Sequence, residues 1–465
     1  DSYTGVGFVN PNMVFVGAAI SFEENSSPNG IYDKSRLVGF FGNVNYGYDN
    51  RYFLDLSFRT DGSSKFGRNS RFAPFWSVGV AWNVHKEAFW SGDEKSSLKL
   101  RASVGSTGTT NFSSTQALTT YNYDFSKIYN GVFGVSLAGY GNPELKWQNT
   151  ISYNVGVDMT LLKGLLTFNG DFYIKNTENL LLPLTVAPST GFSSYVENIG
   201  KLRNTGIEGR LRLNLIRDTR RDLRWNVTLS AFHNKSKITK LSNQLEEINK
   251  YANSDWYNKG TVVYRQYEAG RSQTALMMVR SGGIDPATGN EVYIKRNGEL
   301  TFEYDANDKV KCGDMKPTIE GNVNTNLTWK GFTLYMLFKY QFGAKAYNGT
   351  LASKVEGANP YKNADKRVLY DRWKEPGDHA KFRRIDDRTS PYQTTRLVFD
   401  NDLFSLSSVS LSYELPRDIS QKIYADRVRL MLSTTDVFRL STIKQERGTS
   451  YPFARTFNLS LNVTF

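Results

Sequence analysis

Few side chains in this sequence are of the types that carry out catalysis, and those few lie far apart. The 465 residues include three histidines, His85, His233 and His379, and a single cysteine, Cys312. Catalysis or metal binding would need several such groups at matched spacing, so we interpret each as an ordinary polar or loop residue. With one cysteine, no internal disulfide can form. The sequence therefore predicts a protein that is not an enzyme, with no catalytic residue, metal site or cofactor.

Residues 285–291, of sequence DPATGNE, have the acidic and glycine-rich look of a calcium-binding loop. Their ligand spacing does not match the EF-hand pattern. The pairs Asp-Pro and Thr-Gly are also typical of a β-turn. We therefore favour a turn over a calcium loop for this stretch.

Aromatic residues are concentrated in two long polar stretches, residues 107–144 and 344–402, that lack strand periodicity. Aromatic faces suit sugar rings or peptide side chains, and a neighbouring arginine suits an acidic group. The alternative for each residue is structural, because aromatics also form interface girdles or pack loops together, and loop charges are usually solvated. The candidate substrate-binding residues are Tyr121, Tyr123, Tyr129, Tyr361, Tyr370, Trp373, His379 and Arg383.

These stretches must be held by regular elements, and the last residues of the chain show which kind. From residue 457 onward, apolar and polar side chains alternate strictly, which is the period of a β-strand. A row of about ten residues is what a tilted strand needs to cross the hydrocarbon layer of a bilayer. We interpret the segment as the closing strand of an outer-membrane β-barrel, with the terminal aromatic as a barrel-assembly signal. The apolar row consists of Phe457, Leu459, Leu461, Val463 and Phe465.

The same alternation recurs in pairs of segments joined by tight turns, as in residues 147–161 and 166–174 on either side of Lys163-Gly164. Such pairs are typical of antiparallel hairpins. The predicted fold class is therefore all-β, a transmembrane antiparallel β-barrel. About fourteen strands can be counted, or about sixteen if residues 265–280 and 290–304 supply a further pair.

Loop lengths predict the topology of this barrel. With Phe465 at the periplasmic end, all the short connections fall on the periplasmic side and all the long ones fall outside, which is the usual arrangement. The short connections are residues 49–50, 163–164, 218–223, 330–331 and 416–426, and the long ones are residues 107–144, 183–204, 344–402 and 439–453.

Composition excludes several other classes. The chain is 39% hydrophobic, and no apolar run approaches the roughly 18 residues of a transmembrane helix. A mean hydropathy of -0.47 is compatible with a large barrel, because its lumen and loops are polar. The net charge of +13 comes from scattered lysines and arginines without a basic arm or binding motif, so we expect no nucleic-acid partner.

Six stretches together carry a family resemblance, although each alone is not specific. They are RLVGFFGNVNYGYDNRYFLDLSFRTDGSSKFGRNSRFAPFWSVGVAWNV (36–84), LKLRASVGSTG (98–108), GNPELKWQNTISYNVGVD (141–158), NIGKLRNTGIEG (198–209), GIDPATGNE (283–291) and ERGTSYPFAR (446–455). From about residue 36 to its end, the chain resembles the C-terminal part of the SusC/RagA family of TonB-dependent outer-membrane transporters.

The resemblance implies a barrel of about 22 strands with an N-terminal plug that contacts the TonB complex, working beneath a SusD-like surface lipoprotein that captures glycans or peptides. This chain shows no plug and no TonB-box candidate, and it opens in what looks like the middle of a loop. We expect the plug, the TonB contact and the remaining strands to lie upstream. Residues 1–465 are then the C-terminal part of the barrel, surrounded by outer-membrane lipid.

The predicted function is active import of oligomeric nutrients, either glycan or peptide, across the outer membrane. A passive porin is one alternative, and it requires the chain to be a complete barrel with an open, constricted lumen. An outer-membrane hydrolase is another. It would need a serine, histidine and acidic constellation at the outer rim, and the scarcity of histidine makes it the least favoured.

Overall fold

The structure of the protein is a computed structural model. The residues that it describes are 5–8, 19–22, 34–93, 95–109, 117–129, 132–185, 194–198, 200–241, 246, 249–250, 252–254, 258–259, 263, 266–359, 361, 363–387, 389–443 and 455–465.

Strands dominate this part of the chain, as the alternating sequence pattern predicts. In chain order they are β1 (Gly5–Phe8), β2 (Ala19–Phe22), β3 (Leu37–Tyr48), β4 (Tyr52–Ser63), β5 (Phe72–Asn83), β6 (Ser97–Thr109), β7 (Thr120–Tyr129), β8 (Val132–Gly139), β9 (Gln148–Leu161), β10 (Leu166–Glu178), β11 (Leu181–Thr185), β12 (Ser194–Asn198), β13 (Lys201–Asp218), β14 (Leu223–Lys240), β15 (Ala275–Met278), β16 (Arg280–Ile284), β17 (Glu291–Ile294), β18 (Leu300–Thr301), β19 (Val310–Asp314), β20 (Ile319–Trp329), β21 (Phe332–Phe342), β22 (Lys345–Tyr347), β23 (Val398–Asp400), β24 (Leu403–Glu414), β25 (Arg427–Ser441) and β26 (Phe457–Thr464).

Thirteen of the described strands form one sheet. Its order is β3-β4-β5-β6-β9-β10-β13-β14-β20-β21-β24-β25-β26, and sheet neighbours pair antiparallel throughout. Of the other described strands, β1 and β2 pair with each other ahead of β3, and the rest form small sheets in the long connections. The all-β prediction is confirmed, and the sheet follows the chain as a meander of hairpins.

Helical segments are short. No helix among the described residues is long and apolar enough to cross a membrane. Among the described residues the helical segments include an α-helical turn at Arg417–Ser420, a π-helix at Leu351–Glu356, and 3-10 turns at Arg68–Ser70, Val84–Lys86, Leu162–Gly164, Ala306–Asp308, Lys366–Leu369, Thr395–Leu397 and Gln421–Ile423. Residues 246, 249–250 and 252 are also helical.

The predicted hairpin turns are present, and their backbone geometry explains their residue types. Asp49 and Asn50 both have φ of 51°, and Lys330 and Gly331 have φ of 45° and 85°. Positive φ at both central positions matches the right-handed twist of the flanking strands, and Asn, Asp and Gly tolerate it best. All these turns lie at one end of the sheet, which we call the turn end. The long connections lie at the opposite end, which we call the loop end.

One face of the sheet is apolar and exposed. The register aligns five leucines across the adjacent strands from β20 to β26, so that their side chains form a continuous band. On β26 this band is freely exposed, with Leu459 72% accessible. Apolar side chains that face no protein need an apolar medium. The aligned leucines are Leu327, Leu334, Leu411, Leu432 and Leu459.

The other face carries polar residues in the same register. Ser410 lies opposite Ser433, and Ser433 lies opposite Asn458. Because neighbouring residues of a strand point to opposite faces, each polar residue alternates with an apolar one. A sheet that is apolar on one face and polar on the other has the form of a membrane barrel wall with an aqueous lumen.

Two expectations about individual strands need correction or restriction. Residues 265–280 and 290–304 do not add a pair to the main sheet, because the strands within them, β15 to β18, form small sheets of their own. All four side chains of β15 are buried, so their apolar run reflects packing on both faces rather than contact with lipid. The apolar residues 13–22 also predict a strand from the sequence. Only β2 of this segment is described, where it pairs with β1, and residues 13–18 lie outside the described residues.

The long connections also contain more regular structure than their sequences predict. Within residues 107–144, β6 continues to Thr109 and β7 and β8 form a separate hairpin. In addition, β13 and β14 each span 18 residues. The alternation of apolar residues in the sequence predicts strands only over residues 207–215 and 225–231. The apolar rows end there, whereas strand pairing continues through polar residues.

A lysine in the leucine band tests the assignment of the two faces. We expect Leu411→Lys to destabilise the protein by about 2–4 kcal/mol, because a charge on the lipid face near the midplane must be desolvated. Ser410→Lys, one residue away on the polar face, is the matched control and should be close to neutral. Urea unfolding in lipid vesicles, followed by tryptophan fluorescence, measures both. Equal losses in the two variants would contradict the assignment.

Candidate substrate-binding loop cluster and lumen wall

Two long connections at the loop end pack into one folded unit, which we call the loop cluster and define as residues 275–314 and 344–400. It contains the paired strands β15 and β19, the three-stranded sheet β16-β17-β18, and the pair β22 and β23. A parallel bridge between Val279 and Thr394 joins the two connections directly. The long loops are therefore an ordered scaffold in which side chains hold fixed positions.

A buried ion-pair network ties the loop cluster together. The carboxylate of Glu356, whose side chain is 0% accessible, accepts from Arg383 at 2.7 Å and from Arg396 at 2.6 Å. Arg396 reaches further to Glu291 at 3.0 Å, which links the second connection to the first. The hydroxyl of Thr394 donates to the same Glu291 at 2.6 Å. Four charged groups are thus removed from water together, and each has a partner of opposite sign.

The electrostatics of the network follow from burial and pairing. Burial works to lower the pKa of Arg396, but the Glu291 and Glu356 carboxylates outweigh it and raise this pKa above its usual value. Arg372, which packs beside the network, has a lowered pKa because burial dominates there. Its guanidinium donates to the backbone carbonyls of Val355 and Arg383. Arg372 therefore fixes the backbone around the ion pairs.

A small apolar core lies against these charges. Its buried members are Ala352, Val355, Phe382 and Leu397. Burial of so few side chains contributes only a few kcal/mol, and breaking one partner of a buried ion pair costs about as much. The integrity of the loop cluster therefore depends on the ion pairs as much as on the core.

Residues 285–291 form the predicted turn. The carboxylate of Asp285 accepts from the hydroxyl of Thr288 at 2.6 Å, and the Gly289 amide donates to the Asp285 carbonyl at 2.8 Å. Trp373 packs over the turn and donates its indole N–H to the carbonyl of Pro286 at 2.8 Å. A Cβ added at Gly289, where φ is 71°, would lie 2.6 Å from the Trp373 ring. Glycine is therefore required by both the backbone conformation and the close approach of the indole.

A pocket of about 500 Å³ opens in the loop cluster. Its apolar wall is formed by Leu351, Phe382, Leu397 and Phe399, which could contact the apolar parts of a bound molecule. Arginine, aspartate, lysine and tyrosine side chains line the rest of the pocket. They provide hydrogen-bond donors and acceptors and charges of both signs. These other contributors are Arg367, Tyr370, Asp371, Lys381 and Arg396.

The structure gives the predicted residues of the second aromatic stretch different environments. Tyr361 and Tyr370 are 78% and 63% accessible, and His379 is also exposed. Trp373 is half-buried over the turn, and Arg383 is buried in the ion network, where it also contacts Asp387 at 2.5 Å. Of these five, Tyr370 lines the pocket, whereas Trp373 and Arg383 hold the scaffold.

The residues of the first aromatic stretch lie apart from the loop cluster in sequence, on β7. Tyr121 is exposed and pairs with Leu137 of β8. Tyr123 and Tyr129 belong to the same strand, and their side chains lie outside what the structure describes. Their contribution to a binding surface therefore stays a prediction.

The lumen wall carries an arginine clamp that spans three strands. Arg101 of β6 bonds to Asp158 of β9 at 2.7 Å and to Asp171 of β10 at 3.1 Å. Gly156 lies beneath it, and a Cβ there would come within 2.7 Å of the guanidinium carbon. Asn169 donates to Asp158 at 2.8 Å. The clamp adds a fixed polar feature to the inner surface and links three strands by side chains.

Three further residues named in the sequence analysis lie apart from the pocket. Cys312 lies on β19 rather than in a loop, its thiol donates to the Leu276 carbonyl at 3.3 Å, and burial raises its pKa. A ring nitrogen of His85 lies 3.0 Å from the Leu98 carbonyl oxygen. Phe465 follows β26 and is 84% accessible, as expected for an aromatic at a lipid boundary.

The ion network has little signature in the sequence. Glu356 and Arg396 are 40 residues apart and follow no periodic pattern. Glu291 ends the motif that predicts a turn, and only the burial of its side chain shows that it has a further role. Charged residues in polar loops are usually solvated, so the tertiary contact alone identifies these three.

The comparisons with known proteins agree with this architecture. A family model described as TonB dependent receptor-like, beta-barrel matches residues 2–353. The chain belongs to this TonB-dependent receptor β-barrel family. TonB-dependent receptor P3 of Formosa agariphila is 28% identical over 97% of this chain and 47% of its own length. TonB-dependent receptor SusC of Bacteroides thetaiotaomicron is 25% identical over 78% of this chain and 38% of its own length.

Solved structures with the same fold include the RagAB peptide transporter, with a TM-score of 0.78, 23% identity, and coverage of 94% of this chain and 48% of that chain. The RagAB peptide importer in the 'closed-closed' state has a TM-score of 0.79 at 21% identity, over 99% of this chain and 51% of that chain. The predicted resemblance to SusC/RagA proteins and the outer-membrane location are confirmed. The chain spans less than half the length of these two curated relatives. Those relatives are named as receptors rather than as enzymes.

Removing one charge from the ion network should loosen the loop cluster of this TonB-dependent receptor chain. We expect Glu356→Gln to cost about 3–5 kcal/mol locally, because Arg383 and Arg396 lose their shared buried carboxylate. Limited proteolysis should then cleave within residues 344–400 at lower protease concentrations. Lys381→Met, which breaks an exposed pair with Asp371, should leave the cleavage pattern unchanged. Equal protection in wild type and Glu356→Gln would contradict a role for the network in stability.

Lys309 should make the stability of the loop cluster depend on pH. Burial lowers its pKa from the ordinary 10.5 to about 8, and its ammonium donates to the Ala252 carbonyl at 3.0 Å. Below pH 8 the lysine is charged in both folded and unfolded states, so the burial penalty applies in full. Between pH 8 and 10.5 the folded state releases its proton first, so stability rises by on the order of 3 kcal/mol.

The Lys309→Met variant lacks this titration. Protease resistance measured from pH 7 to 10.5 should therefore rise more steeply in wild type than in the variant. The protease resistance of the two proteins should converge as the pH increases. Parallel pH profiles would show that Lys309 is not the responsible group.

Proposed function

We propose that this chain forms part of an outer-membrane active importer of oligomeric nutrients, of the SusC type. The observation that carries the proposal is the combination of an apolar outer band, a polar inner wall and a folded loop cluster with a pocket at the loop end. Such a wall suits a water-filled passage through a lipid layer. The loop cluster is the part of the described structure with both the order and the mixed chemistry that substrate capture requires.

A glycan or a peptide is the proposed cargo. The pocket combines the aromatic ring of Tyr370 with apolar side chains and with charges of both signs from Arg367, Asp371 and Lys381. Aromatic rings stack on sugars or on peptide side chains, and paired charges bind polar main chains or termini. The exposed residues Tyr361 and His379 would extend this surface. Tyr121, Tyr123 and Tyr129 would contribute from the β7–β8 hairpin.

Transport would depend on a plug and an energy source in addition to the barrel wall. A barrel of about 22 strands has a lumen too wide to leave open, so a plug must close it and an energy source must move the plug. Membership of the TonB-dependent receptor family supports the TonB complex as that source. The resemblance to SusC and RagA supports a SusD-like surface lipoprotein that covers the loop end and delivers the cargo.

The two alternatives receive less support. A passive porin needs no ordered capture surface, whereas the ion network of this chain holds its long connections in one arrangement. A hydrolase would need a histidine that is placed for proton transfer. His233 is instead at the loop end of β14 and bonds through Nδ1 to the Thr318 carbonyl. The active importer therefore remains the proposal.

The pocket and the energy source can be tested together. We expect Tyr370→Ala to reduce the initial rate of labelled peptide or oligosaccharide uptake by about tenfold, since truncating an aromatic anchor commonly costs more than 1 kcal/mol. Phe302→Ala, which removes another exposed aromatic of the loop cluster that does not line the pocket, is the control. Depleting TonB or collapsing the proton gradient should abolish uptake by the wild type. Uptake that persists without TonB would favour the porin.

A further inference from the structure

The apolar face of β14 changes character sharply along one row of side chains. Starting near the turn end, the row contains Trp225 and three smaller apolar residues, and then becomes basic at His233, Lys235 and Lys237. A tilted strand crosses the hydrocarbon layer in about 9–11 residues. Lys235 lies about ten residues beyond Trp225 and is exposed. The lysines of this row therefore stand just outside the hydrocarbon, on the side that faces lipid.

The neighbouring strand β13 has the same arrangement. Lys201 and Arg203 lie at its loop end on this face and are followed by Thr205 and then by apolar residues. Arg203 lies opposite Lys237 of β14, whereas Lys201 pairs with Glu178 of β10 at 2.6 Å. The adjacent strand β10 has an acid, Glu178, at the corresponding position, and several other strands of the sheet have neutral residues there. Examples are Thr60 and Gly62 of β4, Phe72 and Pro74 of β5, Tyr340 and Phe342 of β21, and Phe404 and Leu406 of β24. The basic character therefore distinguishes β13 and β14 from these strands.

These lysines line a pocket of about 510 Å³ at the loop end. The connection between β14 and β20 adds three more cations, Arg271, Lys311 and Lys316, to its wall. Arg271 is placed there by backbone pairing with β14, because the Ile238 amide donates to its carbonyl at 2.9 Å. Among the described residues that line the pocket, Asp314 is the only acid. The pocket is therefore strongly positive.

The positive charge is largely uncompensated within the part of the chain that the structure describes. Arg271 pairs with Glu268 at 3.0 Å. The Asp314 carboxylate is already engaged by the hydroxyl of Thr274 at 2.6 Å and by the backbone amide of Lys316 at 3.0 Å. The remaining four lysines have no carboxylate partner among the described residues; they are Lys235, Lys237, Lys311 and Lys316.

A second pocket, also of about 510 Å³, lies on the same wall and shares His233 with the first. It is a largely apolar groove, and its floor includes small residues of three adjacent strands. The register places Gly170 opposite Gly209 and Gly209 opposite Ala231. Larger apolar side chains form its sides, namely Phe168, Phe172, Ile207 and Ile319. A chain-like apolar molecule fits a groove of this kind in a lipid-facing wall.

We propose that the basic pocket and the apolar groove together bind one molecule of a phosphorylated, acylated glycolipid of the outer leaflet. The phosphate would lie among Lys235, Lys237, Lys311 and Lys316, and an acyl chain would occupy the groove over Gly209. Long loops of outer-membrane barrels face the cell exterior, so the basic pocket stands at the level of the outer-leaflet headgroups. Clustered lysines at a membrane surface attract anionic lipid headgroups.

The choice of a glycolipid over a protein partner follows from position. Lys235 and Lys237 belong to the same outward row as the lipid-facing residues of β14, and the pocket that they share with Lys311 and Lys316 adjoins a groove on the apolar face of the sheet. An acidic protein would satisfy the cations alone. A glycolipid fits both pockets, because its phosphate would lie in the basic pocket and its acyl chain in the adjoining groove. His233 lies at the boundary between the two pockets.

The test uses the protein purified from outer membranes and reconstituted in lipid nanodiscs free of glycolipid. Diphosphorylated lipid A is titrated, and its dephosphorylated form and inorganic phosphate serve as comparison probes. We expect the double variant Lys235→Gln, Lys237→Gln to bind diphosphorylated lipid A about thirtyfold more weakly, since each lysine near an anionic surface contributes roughly fivefold in affinity. The double variant Arg220→Gln, Arg221→Gln removes the same charge at the turn end and should bind like wild type.

A third variant tests the groove. Gly209→Val fills its floor without a backbone clash, since a Cβ at this position would have its nearest neighbour at 3.5 Å, and it should also weaken binding of diphosphorylated lipid A. Thermal unfolding of each variant shows that the barrel is intact. Unchanged lipid A affinity in the lysine variant would overturn the proposal. Equal affinity of wild type for the dephosphorylated form would overturn it as well, and so would full competition by inorganic phosphate alone. Co-purification of an acidic protein that binds these lysines and excludes lipid A would also overturn the proposal.

Discussion

Within a bilayer there is no water to satisfy backbone N–H and C=O groups, so every peptide unit that crosses the hydrocarbon must bond to another. In this protein the requirement is met by the long antiparallel ladder from β3 to β26, in which inner strands have hydrogen-bonded neighbours on both sides. The ladder fixes the register, and the register decides which residues face lipid. A shift of one residue would turn the leucine band of β20 to β26 toward the aqueous lumen. The backbone pairing of the strands and the alternation of their side chains therefore both require the arrangement in which the leucine band faces lipid.

The loop cluster is stabilised by a different kind of interaction. It lies beyond the hydrocarbon and has only a small apolar core, so its order comes from buried charges that neutralise one another. Glu356 joins two arginines of its own connection, and Arg396 carries the link to Glu291 in the other. Such pairs are costly to leave half-formed. The two connections therefore adopt their arrangement together, and Arg396, which lines the pocket, pairs with acids from both.

The barrel wall is predictable from the sequence because a period of two is visible in the residues themselves. The alternation in residues 457–465 and the turns at Asp49-Asn50 and Lys330-Gly331 predict strands and hairpins that the structure contains. The loop cluster is not predictable in the same way. Arg383 looks like a surface cation in the sequence, and only its contacts with Glu356 and Asp387 show that it is internal. Residues 265–280 resemble a membrane strand because β15 is apolar on both faces, a pattern that packing between loops also produces.

The separation between Tyr370 or His379, whose side chains are exposed, and the Glu356 network has a consequence for how such proteins diversify. Substitutions at the exposed positions leave the buried charges in place, so they cost little stability. Under the proposed function, related genes would acquire new cargo preferences through point changes at these exposed positions while the scaffold stays unaltered. Changes at Glu291, Glu356 or Arg396 would instead need compensating changes in the same lineage, and these three positions should drift far more slowly.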